Sequence, residues 1–205
     1  MMSNKNDTTA PFEAGEAWEQ RYTDNSTRWE RGDLNPAFIH WHDEGRFKEC
    51  KSVIVPGCGR SPEPMAFAQM GMAVSALDFA PTAMAFQKEA FAKAGLTAQI
   101  EAADVLTWQP GSPVDALYDQ TCLCALTPTV WQDYANQIHR WVKPGGKAFM
   151  LFMQTGKEGG PPFHSPLERM QKIFDAARWD WPDAPAFNAE HSSEKVELGV
   201  ILTRR

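Results

Sequence analysis

The sequence contains no apolar run approaching 18 residues, and its start has no basic segment leading into an apolar one, so neither a membrane span nor a signal peptide is expected. Positive charge is short. Twenty Lys and Arg against 26 Asp and Glu leave a net charge of −6, which argues against a nucleic-acid partner because a phosphate backbone requires a basic surface. Cysteine is sparse too: Cys50, Cys58, Cys122 and Cys124 form no C-x-x-C pair and no disulfide framework. That usage points to a reducing, cytoplasmic setting with buried, inert thiols. His40 and His42 flank Trp41 but have no third ligand nearby, so no metal is expected. Repeats and low-complexity tracts are missing. What is present, 205 residues with 15 prolines and 14 glycines, suits one turn-rich α/β domain over 14–205, with lid-like helices from about Ala14. Residues 1–13 are polar and expected to be flexible.

The stretch VIVPGCGR, Val53 to Arg60, runs a short β-branched segment into a Gly-x-Gly turn, and SPEPMAFAQMG then reads as a helix start. Gly57 and Gly59 lack a Cβ, so a ligand can approach the main chain where the helix N–H groups point. The same pattern also serves as a plain tight connection. After Gly71, MAVSALD reads as a second strand ending at Asp78, 19 residues beyond Gly59. An acid at that strand tip, which is expected to be exposed, accepts hydrogen bonds from two ribose hydroxyls in Rossmann-like domains. The third glycine of G-x-G-x-x-G falls at Pro62. That position counts against a dinucleotide pyrophosphate, and S-adenosylmethionine (SAM), which has no phosphate, fits better than NAD.

Downstream, strand and helix keep alternating. Pro81 to Gly95 reads as a helix, AQIEAAD as a strand ending at Asp104, and VDALYDQTCLCAL as another, which would set Cys122 and Cys124 on one face. Thr127 with Pro128 caps TVWQDYANQIHRWV, the turn KPGG delivers KAFMLFMQ, Ser165 and Glu168 form a capping box, and VELGVILT is a last strand. The alternation implies a mostly parallel sheet covered on both faces. The loop GKEGGPPFHS is the candidate wall of an acceptor pocket, with Phe163 supplying apolar surface and His164 near it.

These motifs resemble those of class I SAM-dependent methyltransferases, and within them the thiopurine methyltransferase family, especially its thiol, thiocyanate and halide branch. VPGCG, LDFAPTAM, the spacing of Trp18, Tyr22 and Trp29 before Gly32, YDQTCLCALTP, KPGG and GGPPF carry the likeness over about residues 15–170. The resemblance implies a Rossmann-like sheet of seven strands, mostly parallel with an antiparallel C-terminal strand. It implies that Trp18, Tyr22 and Trp29 pack over SAM, Gly57 and Gly59 lie beneath its methionine end, Asp78 holds the ribose, and Asp104 and Val105 border the adenine. Gln120 stands beside the cofactor where the family usually has tyrosine or arginine, and Tyr22 replaces a usual tryptophan. The implied reaction is in-line methyl transfer to a small soft acceptor, a thiol, thiocyanate, halide or thiopurine, and no catalytic side chain stands out. The alternatives are an O- or N-acceptor, a non-catalytic SAM-binding domain and an NAD-dependent oxidoreductase.

Overall fold

Two helices precede the sheet, α1 (Pro11–Thr23) and α2 (Pro36–Asp43), and both open on proline, whose missing N–H goes unused in a first turn. Asn35 caps α2 by accepting the Ala37 N–H at 2.8 Å. The structure, a computed structural model, describes residues 11–184, 186–192 and 195–205. Of the start expected to be flexible, residues 1–10 lie outside the described residues, and 11–13 form the first turn of α1.

The chain continues through β1 (Ser52–Pro56), α3 (Glu63–Gln69), β2 (Ala73–Asp78), α4 (Pro81–Ala94), β3 (Gln99–Ala102) and β4 (Val114–Asp119). It then forms α5 (Cys122–Ala125), α6 (Trp131–Trp141), β5 (Val142–Gln154), α7 (Leu167–Ile173), β6 (Trp179–Asp180), β7 (Phe187–Ser192) and β8 (Lys195–Arg204). The strand order is β3-β2-β1-β4-β5-β8-β6, with β7 also paired to β8. Strands β1 to β5 are parallel to one another, and β8 runs antiparallel to β5, β6 and β7. The sheet therefore has eight strands rather than the seven expected. Two strands not read from the sequence, β6 and β7, dock on the long β8 from segments, WD and FNAEHS, too short or too polar to announce a strand.

Side chains alternate between two cores. Val53, Val55, Tyr118 and Phe149 face one side with Phe38, Trp41 and Phe67. Ile54, Leu117, Met150 and Phe152 face the other with Trp131, Tyr134 and Trp141. A strand that feeds apolar residues to both faces has helices on both, as the alternation implied. The order reverses between β1 and β4, and that reversal opens a crevice at the carboxyl ends of the strands.

Four local expectations are corrected. The strand from Val114 stops at Asp119, because the Asp119 carboxylate accepts the N–H groups of Cys122 (3.0 Å) and Leu123 (3.2 Å) and turns the chain into α5. Cys122 and Cys124 thus lie on a helical turn, not on one strand face. Thr127 does not cap α6: its hydroxyl pairs with that of Thr129 at 3.0 Å, and Trp131 opens the helix. No capping box forms at α7, where Pro166 is the cap and the Ser165 hydroxyl donates to Phe163 O at 3.3 Å. KPGG is a bulge inside β5 rather than a turn before it, with Gly145 at φ +74° and the β4 register shifting alongside.

Candidate active site

A cavity of about 730 Å³ occupies the crevice, within the range that holds a whole small-molecule ligand, roughly 300–1,000 Å³. Its floor is the glycine turn. Gly57 and Gly59 have φ of +55° and +52°, a left-handed backbone that glycine adopts without strain. A Cβ on Gly57 would stand 2.8 Å from Cys122 Cβ and 2.9 Å from its Sγ, so the turn seats directly on α5. Gly59 is held from above, where a Cβ would meet the Tyr22 hydroxyl.

Asp78 forms one wall, but not as an exposed tip. It is 8% exposed, and both its oxygens accept backbone N–H groups, Oδ2 from Gly59 at 2.8 Å and Oδ1 from Ala80 at 2.9 Å. Burial pushes its carboxyl above the usual carboxylate range, and these N–H groups pull the other way. Each carboxylate oxygen retains a further acceptor site. Gln87 finishes the turn by donating to Gly59 O (3.0 Å) and Ser61 O (2.9 Å). Beyond β3, Ala103, Asp104, Val105 and Leu106 continue this wall, and Asp104 Oδ1 accepts the Leu106 N–H at 2.8 Å. Asp104 lies two residues past the strand, which ends at Ala102 and not at Asp104.

The roof comes from the N-terminal segment. Trp18 and Trp29 meet edge-on with centroids 5.1 Å apart, and Tyr22 meets Trp29 likewise at 5.7 Å. The Arg21 guanidinium lies 4.6 Å from the Trp18 centroid, a cation over a ring face that the sequence reading passed over. Tyr22 is 4% exposed and belongs to the core as well as the cavity. The segment is docked at its back: a Cβ on Gly15 would strike the Phe79 ring, and Glu19 accepts from Thr82 Oγ1 (2.5 Å) and Thr82 N (3.1 Å) at the start of α4.

The far end is apolar, lined by Cys124, Ala125, Leu126, Val130, Met153, Pro161 and Pro162 with Thr127. Phe163 is not in that wall. It packs into the second core, and its N–H donates to Cys124 O at 2.7 Å. His164 does not line the cavity either, and its Nδ1 lies 3.4 Å from Gly156 N. Trp18, Tyr22, Trp29, Gly57, Asp78, Asp104 and Val105 share the one cavity, while Gly59 and Gln120 line a recess of about 40 Å³ beside it. There Gln120 Oε1 accepts from the Tyr118 hydroxyl at 3.4 Å.

The buried thiols are poor nucleophiles: burial pushes Cys58 and Cys122 well above the ordinary thiol range. Asp119, behind Cys122, accepts from the Tyr134 hydroxyl at 2.8 Å, and its carboxyl is pushed up by burial to about 6. His40 stacks on Phe187, centroids 4.2 Å apart, and pairs with Glu44; His42 pairs with Asp43. No helix among the described residues is long and apolar enough to cross a membrane.

The family model of thiopurine S-methyltransferase matches residues 13–199. The chain is 27% identical over 160 residues to a probable thiol methyltransferase 2 of Arabidopsis thaliana, covering 77% of this chain and 70% of that one. It is also 27% identical over 175 residues to a thiopurine S-methyltransferase of Vibrio parahaemolyticus, covering 78% and 81%. Among solved structures, a Burkholderia thailandensis 1,6-didemethyltoxoflavin N1-methyltransferase, crystallised with S-adenosylhomocysteine, superposes with a TM-score of 0.75 at 18% identity, over 96% of this chain and 91% of that one.

Proposed function

Because the chain belongs to the thiopurine S-methyltransferase family, and so is a SAM-dependent methyltransferase, we propose that its acceptor is a small soft nucleophile such as a thiol, thiocyanate, a halide or a thiopurine. The observation that carries this reading is the apolar lining by Cys124, Ala125, Leu126, Val130, Met153, Pro161 and Pro162, which holds no carboxylate and no histidine among the described residues. An oxygen acceptor would need a general base there, whereas a soft anion arrives ready to react.

The residues present fit SAM: the left-handed Gly57 puts bare backbone at the floor of the cavity, and Asp78, held by Gly59 N, presents a carboxylate at the wall. When bound, SAM supplies a methyl group on a sulfonium, which leaves with the bonding electrons as S-adenosylhomocysteine (SAH). In this reading Asp78 accepts the ribose hydroxyls, Asp104 and Val105 border the adenine, and Gly57 underlies the methionine end. Trp18, Tyr22 and Trp29 cover the site, exclude water and favour the cation, by roughly 2 kcal/mol for a desolvated ring contact. Gly59 and Gln120 act from the adjoining recess, Gly59 by anchoring Asp78. The protein's contribution to the rate is then alignment in a dry site rather than proton transfer. Residues 14–205 serve as one catalytic unit with an N-terminal lid. The free cysteines and net charge of −6 fit a cytoplasmic enzyme of small molecules that binds neither nucleic acid nor membrane.

The test is methyl transfer from SAM to a panel of thiols, thiocyanate, iodide, thiopurines, and matched alcohols and amines. Turnover confined to the sulfur and halide acceptors is expected. Faster methylation of the alcohols or amines, or SAH binding without turnover on any acceptor, would overturn the reading.

A further inference from the structure

Residues 24–35, between α1 and α2, form neither helix nor strand, yet they carry Trp29, which roofs the cavity together with Trp18 and Tyr22 of α1. Residues 24–30 hydrogen-bond among themselves and to α1, and their hydrogen bonds to the body of the protein, among the described residues, converge on one side chain. That side chain is Arg60, which directly follows the glycine turn. Its Nε and Nη2 donate to the two oxygens of Glu30, each at 2.7 Å, and Nη2 also donates to Thr27 Oγ1 at 3.1 Å. The guanidinium lies 5.3 Å from the Tyr22 centroid, and Arg60 and Glu30 are 22% and 25% exposed. A bidentate, partly desolvated pair of this kind is stronger and more directional than an open surface pair.

The roof is otherwise fixed on either side of residues 24–30. Glu19 holds α1 to α4, and past the tryptophan Arg31 Nη1 donates to Glu190 O at 2.9 Å, Asn35 N donates to the buried Glu63 at 2.8 Å and Asn35 Nδ2 donates to Glu197 at 2.9 Å. Between these fixed points the segment can lift only if the Arg60 fork lets go of Glu30. We propose that Arg60 is a positioning residue that latches the Trp29 segment shut, so that opening its bridge to Glu30 limits the escape of the spent cofactor. The proposal rests on the reading that the cavity holds SAM and SAH.

The experiment follows SAH by tryptophan fluorescence in stopped flow, with association and dissociation measured separately for the wild type, Arg60→Met, Glu30→Gln, the double variant and the charge swap Glu30→Arg with Arg60→Glu. Breaking the bridge should speed dissociation about five- to tenfold while changing association less than about threefold. The double variant should be no faster than either single one, the swap should regain part of the slow dissociation, and raised salt should shrink the difference between wild type and variants. Glu30→Gln alters only the roof, so it carries the test if Arg60→Met fails to fold. Wild-type dissociation rates in a folded Glu30→Gln, or equal changes in both rate constants with no recovery in the swap, overturn the latch alone. Failure of the wild type to bind SAH overturns the cofactor reading and the latch with it.

Discussion

Replacing Asp119 with asparagine removes a charge that sits wholly inside the protein. Its carboxylate accepts the Tyr134 hydroxyl and the N–H groups of Cys122 and Leu123, yet burial lifts its pKa from 3.8 to about 6. Between those two values the folded protein holds a proton that the unfolded chain has lost, so this group's contribution to stability falls as pH rises. It is fully present below pH 3.8 and gone once pH has passed about 6. At 1.36 kcal/mol per pKa unit the loss totals about 3 kcal/mol. Asparagine keeps an oxygen for the two backbone N–H groups, turns its amide toward the Tyr134 oxygen, and does not titrate. Urea unfolding of both proteins from about pH 4 to 7 supplies the comparison, and subtracting the variant's unfolding free energy from the wild type's cancels the groups common to both, Asp78 and Glu63 among them. The difference should fall by about 2 kcal/mol across that range, the rest of the loss lying outside it, and a difference flat to within about 0.5 kcal/mol would refute the buried ionisation.

Gly57→Ala should lower the melting temperature without ligand, because a left-handed alanine costs about 1–2 kcal/mol and its Cβ would press on Cys122. Gly145→Ala is the control: it has φ +74° and open space around its Cβ, so equal melting of the two variants would show that Cys122 yields. Asp78→Ala should weaken SAH binding in titration calorimetry by about 1.5–3 kcal/mol, the scale of hydrogen bonds to a charged group. Melting should fall as well, since Gly59 N and Ala80 N lose their acceptor; unchanged SAH affinity in the folded variant would remove the ribose assignment. Trp29→Ala should raise the Michaelis constant for SAM and weaken the hydrogen-exchange protection that SAH gives residues 24–33, with little change in ligand-free melting. Exchange there that is indifferent to SAH in the wild type would deny Trp29 its place in the roof.

The first crossover was legible because every level of its sequence agrees: an apolar β-branched strand, glycines where φ is positive, Pro81 opening α4, and Gly95 closing it at φ +65°. What misled was the segment after β4. CLCAL has the apolar density of a strand, and only a tertiary fact, the buried Asp119 capping its N–H groups, makes it a helical turn. The exposed tip expected at Asp78 fails for a similar reason, since α1 docks over it from a distant part of the chain and no local pattern announces that cover. Arg21 had a weak signal, three positions after Trp18 on a helix, where an arginine lies along the ring. Gln120 marks the limit of motif matching: expected beside the cofactor, it lines the neighbouring recess and not the main cavity.

The roof over the cavity comes from α1 and the segment after it, but its anchors include β7 and β8. Arg31 donates to Glu190 O in β7, and Asn35 to Glu197 in β8. During synthesis the N-terminal segment leaves the ribosome long before those partners exist. The glycine turn, its wall and the Glu19 and Arg60 ties of the cover can assemble from the first half of the chain, but the Arg31 and Asn35 Nδ2 anchors have no partner until β7 and β8 have formed beside β5. A nascent or C-terminally clipped chain would therefore expose its aromatic roof to solvent and to other chains. Fastening residues 31 and 35 to β7 and β8 makes formation of that hairpin a condition for a fully anchored roof.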